Sequence, residues 1–247
     1  MRTYKAIIFD LFDTIVNFNR SLLPAEEING HKINSTSVSV YEVFQKSHNH
    51  ISFKDFYAAF IKSYEELEEI KSKEHKEFHN QERFKLMLNK LKVITKSNSN
   101  KIVEEMVLAH MGKIADAVEF PEENRTTLNT LKNKYRLALI SNFDHAPTAY
   151  GILDKFEIRD FFERILISIE VGFRKPRADI FLKAFSLLKI KPSEAIFVGD
   201  NSEADVVGSK NVGMNVIWIN KNNEHIRREI PNPDYVVTKF TDINKII

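Results

Sequence analysis

The sequence predicts an α/β protein with a three-layer core, in which a parallel sheet lies between helices, and an inserted all-helical domain. Short, continuous apolar runs recur along the chain, as they do in buried parallel strands. Helix-like segments separate most of these runs, and this alternation is typical of a parallel sheet covered on both faces. A long region after the first run shows helical spacing alone, which predicts the insertion.

The elements of the core follow from the apolar runs. The first run, Lys5 to Asp10, is short and ends in an acid, as a buried strand reaching a site would. Similar runs predict further strands at 136–141, 164–169, 195–199, 215–219 and 234–237. Helices are predicted at 121–134, at 178–188 and at about 203–210.

The inserted domain is predicted from three helical patterns. Apolar residues fall at helical spacing from Phe53 to Leu67, and Ser52 with Asp55 resembles a capping box at the start of this helix. Two further helices are predicted around 84–91 and 102–114, and the polar run 96–101 is expected to be a loop. We therefore expect a core formed by 1–16 and 117–247 and a helical domain at 17–116.

Composition limits the classes of function. The chain has 247 residues, of which 43% are hydrophobic, and its formal net charge is +2. This charge is too small to argue for a nucleic-acid or membrane partner, and no stretch has the length of a membrane span. The absence of cysteine excludes disulfides, a cysteine nucleophile and a thiolate metal site, and it fits a cytoplasmic protein. A homodimer is left open, because the sequence carries no argument about oligomeric state.

Polar residues follow several of the predicted strands. The candidates that share this position are Asp10, Asp13, Ser141, Asn142, Lys175, Asp200 and Asp205. Ligands of open parallel sheets bind at the carboxyl edge, where the loops after the strands converge. We therefore expect these side chains to form one site.

This set of side chains suits a phosphoester. Several carboxylates without histidine or cysteine favour a hard cation such as Mg²⁺. The cation would screen the repulsion between an attacking carboxylate and an anionic phosphate. An aspartate can form an acyl-phosphate, and a lysine and a serine hydroxyl can hold the phosphoryl oxygens. The expected partner is therefore a small molecule that carries a phosphate.

The order of these residues resembles the four motifs of haloacid dehalogenase-like hydrolases. The motifs are Asp10-Leu-Phe-Asp-Thr14, Ser141-Asn142, Lys175-Pro176 and Gly199-Asp-Asn-Ser-Glu-Ala-Asp205. The stretch from Ile169 to Met214 is especially similar, and the resemblance covers the first strand and residues 136–220. It implies a Rossmann-like core with a helical cap between the first and second motifs, and a Mg²⁺-dependent phosphatase.

The resemblance also implies catalytic roles. Asp10 would be the nucleophile, and Ser141 would be a phosphate ligand, with Asn142 beside it contributing a backbone or side-chain contact. Lys175 would neutralise the charge of Asp10 and of the phosphate. Asp205 would orient Lys175 or a metal-bound water.

Phe12 departs from the family pattern. Phosphatases of this family usually carry an aspartate two residues after the nucleophile, where it acts as general acid and base, and here that position holds phenylalanine. The missing group is typically worth about 10²–10⁴ in rate. The metal site that the resemblance implies survives, because it needs the carboxylates of Asp10 and Asp200 but only the main-chain carbonyl of Phe12.

Three functions stay open as a result. The favoured one is Mg²⁺-dependent hydrolysis of a small organic phosphate through an aspartyl-phosphate at Asp10. The second is a metal-independent 2-haloacid dehalogenase, in which the family has an aromatic residue at position 12, although Asp200 is out of place without a metal. The third is a weakly active, phosphate-binding regulatory protein. Asp13 and His145 are candidates to replace the missing acid, and the sequence does not decide whether either does.

Overall fold

The chain divides into two compact units, Met1–Asn17 with Glu119–Ile247, and Phe18–Val118. We call them the core unit and the inserted unit. They are seen in a computed structural model, which describes residues 4–93 and 99–247. The sequence predicted boundaries after residues 16 and 116, and the units change after residues 17 and 118.

A six-stranded parallel sheet forms the centre of the core unit. Over the described residues the strands of the chain are, in order, β1 (Ala6–Phe9), β2 (Asn17–Phe18), β3 (Ala25–Ile28), β4 (His31–Asn34), β5 (Val118–Glu119), β6 (Arg136–Ser141), β7 (Arg164–Ile167), β8 (Ala195–Gly199), β9 (Asn215–Ile219) and β10 (Tyr235–Val237). The sheet has the order β10-β9-β8-β1-β6-β7, and its strand pairs are parallel. The predicted parallel sheet is confirmed, with a strand at each predicted position.

Helices flank the sheet and make up most of the inserted unit. In chain order they are α1 (Ser37–Phe44), α2 (Phe53–Glu74), α3 (Asn80–Lys90), α4 (Ser99–Asp116), α5 (Glu122–Lys132), α6 (Ala146–Lys155), α7 (Ser168–Val171), α8 (Ala178–Leu188) and α9 (Gly208–Asn211). The predicted helix at 178–188 is confirmed at both ends. Its apolar face, including Phe181 and Phe185, is buried against Ile8, Ile140 and Phe197 of the sheet. Among the described residues, no helix combines the length and apolarity needed to cross a membrane.

Two elements of the core unit differ from the prediction. The strand predicted at 164–169 ends at Ile167, because Ser168 begins the short helix α7, in which its carbonyl accepts from the Gly172 N–H (2.8 Å). The Ser168 hydroxyl accepts from the Phe143 N–H (2.9 Å) and donates to the Phe143 carbonyl (3.2 Å) in the loop that follows β6. The helix predicted at about 203–210 begins as a π-helix, Ser202–Val207, and continues as α9. A π-helical turn shifts the side chains that follow it, and such turns are frequent at functional sites.

The first predicted helix of the inserted unit begins where its capping residues indicated. The Ser52 hydroxyl accepts a hydrogen bond from the Asp55 N–H (3.2 Å), which satisfies one free donor at the start of α2. The other two predicted helices correspond to α3 and α4. Residues 96–98 of the polar run predicted as a loop lie outside the described residues. Ser99–Lys101 are helical, so the prediction of a loop is wrong for these three residues.

The prediction of an all-helical insertion is wrong in one segment. Strands β3 and β4 form an antiparallel hairpin whose turn is Asn29-Gly30, with φ of 51° and 77°. Positive φ at both central residues defines the type I′ turn that joins two-residue hairpins, and Asn-Gly is its preferred sequence. The Asn-Gly dipeptide therefore indicated the hairpin in the sequence. The glutamates Glu26 and Glu27 of the first strand have low strand propensity and did not indicate it.

Candidate active site

The register of the sheet brings the predicted residues to one edge. Phe9 of β1 lies between Leu139 of β6 and Val198 of β8, so that the three strands end within two residues of the same level. Asp10 follows directly, and its N–H donates to the Val198 carbonyl (2.9 Å). The sequence predicted this convergence from the carboxyl ends of parallel strands.

Lys175 joins two carboxylates at this edge. Its Nζ lies 2.6 Å from Asp10 Oδ1 and 2.8 Å from Asp205 Oδ1, and its side chain is buried. Burial disfavours the ammonium, but the attraction of the two carboxylates outweighs it and raises the pKa of Lys175. The side chain is therefore a cation at neutral pH, fixed against the carboxylate of Asp10.

Asn142 holds the loop that carries this lysine. Its Nδ2 donates to the Lys175 carbonyl (2.9 Å), and its Oδ1 accepts from the Lys175 N–H (2.8 Å). Both polar atoms of the amide are thus used on the backbone of Lys175. The resemblance implied a backbone or a side-chain contact of Asn142 with the phosphate. We propose that the side chain positions Lys175 instead, which leaves the backbone contact as a prediction.

Asp205 is held on both of its oxygens. Besides the contact of Oδ1 with Lys175, Oδ2 accepts from the Asn201 N–H (2.9 Å). A Cβ at Gly199 would lie 2.2 Å from this Oδ2 and 2.8 Å from the Cβ of Asp205. Only glycine at residue 199 therefore leaves room for the Asp205 carboxylate, a requirement that the Gly-Asp-Asn motif contained but that the sequence alone did not explain.

Replacing Gly199 with alanine is expected to displace Asp205 and, with it, Lys175. We expect kcat to fall by about 10²-fold, the scale of an ångström of misplacement in a catalytic group. Steady-state kinetics with any phosphate ester that the protein hydrolyses would measure this. The control is Gly151→Ala in α6, where an added Cβ meets no atom within 4 Å. A folded Gly199→Ala protein with the kcat of wild type would contradict this account of Asp205.

The three carboxylates of Asp10, Asp200 and Asp205 form what we call the carboxylate cluster. Each offers an oxygen within 4.8 Å of the others, a separation that suits a shared metal ion. Burial, followed for Asp200 by the charges of Asp10, Asp205 and Asp13, raises the pKa of Asp10 to about 6 and that of Asp200 to about 8. When all three aspartates ionise to bind a cation, Lys175 offsets one of their charges and the site carries a net charge of −2. A divalent cation with oxygen ligands, such as Mg²⁺, fits this donor set and charge.

The raised pKa values predict how the metal-free protein responds to pH. In the unfolded chain both groups ionise near the ordinary value of 3.8, whereas in the folded protein Asp10 and Asp200 hold their protons to about 6 and about 8. The folded state therefore binds more protons across this window, and the free energy of unfolding should fall as pH rises through it.

Asp200→Asn is the variant that tests this pH dependence. With metal removed by a chelator, the melting temperature of the variant should change less than that of wild type between about pH 5 and about pH 9. At the alkaline end of this range the variant should melt several degrees above wild type. Added Mg²⁺ should stabilise wild type there and the variant much less. Identical melting profiles for the two proteins in chelator would show that the charge of Asp200 does not destabilise the metal-free protein.

Ser141 ends β6 with a buried hydroxyl, and it is 1% exposed. Among the described residues its Oγ has no hydrogen-bond partner. Buried hydroxyls without a partner are rare in native structures, and a bound ligand is one common explanation. The observation fits the phosphate contact predicted for Ser141.

Phe12 and the two candidate replacements for its missing acid lie close to this edge. The Phe12 ring packs on Phe143, with centroids 4.9 Å apart. Asp13 is exposed and has a left-handed backbone with φ of 55°, and its charge contributes to the raised pKa of Asp200. His145 is the residue before α6, and its Nδ1 lies 2.8 Å from the Thr148 hydroxyl. The imidazole therefore contacts a side chain of the first turn of α6.

One contact near the cluster was not predicted from the sequence. The indole N–H of Trp218, at the end of β9, donates to the main-chain carbonyl of Asp200 (2.7 Å). The sequence feature that could have indicated this contact is the position of the single tryptophan near the carboxyl end of an apolar strand. From there the polar atom of the indole can reach the neighbouring loop.

The fold and the site define a hydrolase of a known family. The family model described as haloacid dehalogenase-like hydrolase matches residues 4–213, and the chain belongs to this family. It is 28% identical over 250 residues to glyceraldehyde 3-phosphate phosphatase of Pyrococcus furiosus, covering 100% of this chain and 94% of that protein. It is 25% identical over 150 residues to human N-acylneuraminate-9-phosphatase, covering 60% of this chain and 61% of that one.

Solved structures agree on the fold. A 2-haloacid dehalogenase from Pseudomonas syringae superposes with a TM-score of 0.75 at 18% identity, over 99% of this chain and 98% of that chain. At this identity the likeness speaks for the shared architecture and not for a shared substrate.

Proposed function

We propose that this hydrolase cleaves small organic phosphates with the help of Mg²⁺, through an aspartyl-phosphate at Asp10. The observation that carries the proposal is the buried contact of Lys175 with Asp10 beside the carboxylate of Asp200. Two relatives that are named as phosphatases support the same reaction. One aligns with 100% of this chain and the other with 60%.

The residues of the site would divide the reaction into two displacements. A carboxylate oxygen of Asp10 attacks phosphorus, the bond from phosphorus to the leaving oxygen breaks, and an aspartyl-phosphate forms while the departing alkoxide takes a proton from solvent water. Water then attacks the same phosphorus and gives a proton to solvent, the bond to Asp10 breaks to restore its carboxylate, and inorganic phosphate leaves. The Lys175 ammonium and the Ser141 hydroxyl would hold the phosphoryl oxygens in both steps.

Metal binding is the part of the proposal that the carboxylate cluster supports. We propose Asp10, Asp200 and the main-chain carbonyl of Phe12 as ligands of Mg²⁺. When bound, the ion would screen the repulsion between the Asp10 carboxylate and the phosphate. Asp205 lies within the cluster, but its two oxygens are engaged by Lys175 and Asn201, so we give it the role of orienting Lys175.

Phe12 is the observation that favours a second function. Without an acid at this position the enzyme cannot protonate a poor leaving group there, and a halide leaving group needs no proton. A metal-independent 2-haloacid dehalogenase is therefore the alternative, and a weakly active phosphate-binding regulator is the third. Asp200 argues against the dehalogenase, because a third carboxylate in the carboxylate cluster suits a metal site and is out of place where a haloacid is held without metal.

The inserted unit and the location of the protein complete the proposal. We propose that Phe18–Val118 acts as a cap that selects the substrate and excludes water during the reaction. A chain with no cysteine fits the cytoplasm, where small phosphorylated metabolites are found.

A substrate panel distinguishes the three functions. The panel would contain an aryl phosphate, glyceraldehyde 3-phosphate, N-acylneuraminate 9-phosphate and several sugar phosphates, each with Mg²⁺ and with chelator, together with 2-haloacids. Phosphate release that requires Mg²⁺ is the expected result. Halide release in chelator would establish the dehalogenase instead. If the protein binds Mg²⁺ and phosphate but turns over no compound of the panel, the result would support the phosphate-binding regulatory protein.

A further inference from the structure

Trp218 reaches the loop that carries Asp200 from the neighbouring strand. The register pairs it with Gly199, the last residue of β8, and its side chain is 4% exposed. The indole packs among the apolar core residues that include Phe197 and Val216. From this fixed position its N–H donates to the Asp200 carbonyl at 2.7 Å.

The rest of this loop is held by its own backbone and side chains. The Asn201 side chain accepts from the N–H groups of Glu203 (3.0 Å) and Ala204 (2.8 Å), and the Asn201 N–H donates to Asp205. The Thr14 hydroxyl reaches Asp200 Oδ1 at a long 3.4 Å. The Asp200 carbonyl and the Asn201 N–H belong to one peptide, which is held by the indole at its carbonyl and by Asp205 at its N–H. The orientation of this peptide sets the direction of the Asp200 carboxylate.

We propose that Trp218 is a positioning residue for metal binding, which fixes the Asp200 peptide so that its carboxylate points into the carboxylate cluster. The inference rests on the proposed Mg²⁺ site. An indole is suited to this task because its ring is immobilised in the core while its single N–H has one direction. Without this donor the peptide is held only through the Asn201 N–H, and the Asp200 carboxylate keeps more freedom that must be lost when the cation binds.

Trp218→Phe removes the donor and keeps an aromatic ring in the core. We expect the Kd for Mg²⁺ alone, measured by calorimetry, to rise roughly three- to tenfold, the usual worth of one hydrogen bond. Saturating Mg²⁺ should restore kcat to that of wild type, because the reacting groups are untouched. A residue with a merely structural role would not give this rescue.

The matched control is Tyr4→Phe, which removes a hydrogen bond at the opposite end of the same strand. There Asn215 Nδ2 donates to the Tyr4 hydroxyl at 2.7 Å. The control should bind Mg²⁺ as wild type does. A second readout uses Trp218 as the single tryptophan of the chain. Its emission in wild type should change with Mg²⁺ at the calorimetric midpoint, and Asp200→Asn should abolish the change.

The outcomes separate this inference from the proposed function. A wild-type protein that binds no Mg²⁺ would overturn the proposed metal site itself. If wild type binds the ion and Trp218→Phe binds it equally well, Trp218 has no positioning role. Equal weakening in Trp218→Phe and Tyr4→Phe would likewise overturn the inference, since the effect would then be general to the strand.

Discussion

Replacing Asp10 with asparagine should abolish hydrolysis of phosphate esters, with a fall in kcat of at least about 10⁴-fold, as loss of a covalent nucleophile causes. The amide has nearly the same shape, but it is a far weaker nucleophile and carries no charge for Lys175 or a cation to bind. Asp10 is 8% exposed and lies in a cluster of like charges, so that its neutralisation should not unfold the protein. Steady-state kinetics and a melting curve measure the two effects.

The matched control for this variant is Asp13→Asn. Asp13 lies in the same loop and is exposed, so its loss should change kcat only modestly if it is not the missing acid. A large loss in Asp13→Asn on substrates with poor leaving groups would instead make Asp13 the replacement for the acid absent at position 12. Substantial turnover by Asp10→Asn would contradict the covalent mechanism.

Replacing Phe12 with aspartate should raise kcat on alkyl phosphates by about 10²-fold or more, because an acid at this position can protonate the leaving alkoxide and then activate water. Aryl phosphates have good leaving groups and should gain much less. The measurement is the ratio of kcat for an alkyl to that for an aryl phosphate, in wild type and variant.

Phe12→Asn controls for the loss of the aromatic ring. Both variants lose the contact with Phe143, which is worth about 0.5–1.5 kcal/mol of stability, but asparagine supplies no proton. A gain in both variants, or in neither, would show that the missing acid does not limit the wild-type enzyme.

The parts of the fold that depend on local pattern could be predicted from the sequence. The helix at 178–188 was predicted at both ends because its apolar spacing is complete, and β1 because a continuous apolar run leads directly to Asp10. The strand at 164–169 was predicted too long, since α7 begins at Ser168, whose hydroxyl forms hydrogen bonds with Phe143, a residue distant in sequence. No local pattern contains that information.

The site likewise has features that the sequence predicts and features that depend on tertiary packing. The order of Asp10, Lys175 and Asp205 along the strand ends was enough to expect them together, because parallel strands end at one edge. That Asn142 serves Lys175 and that Gly199 makes room for Asp205 depend on distances of a few ångströms. Such distances are set by tertiary packing, which residue type and spacing do not specify.

Trapping the covalent intermediate tests the central claim most directly. Wild-type protein would be mixed with Mg²⁺ and a phosphate ester that it hydrolyses, quenched in acid within the first turnovers, digested and analysed by mass spectrometry. We expect a phosphoryl group on the peptide that carries Asp10, which chelator and Asp10→Asn should each eliminate. A phosphoryl group on another residue, or phosphate release by Asp10→Asn at the wild-type rate, would contradict the account.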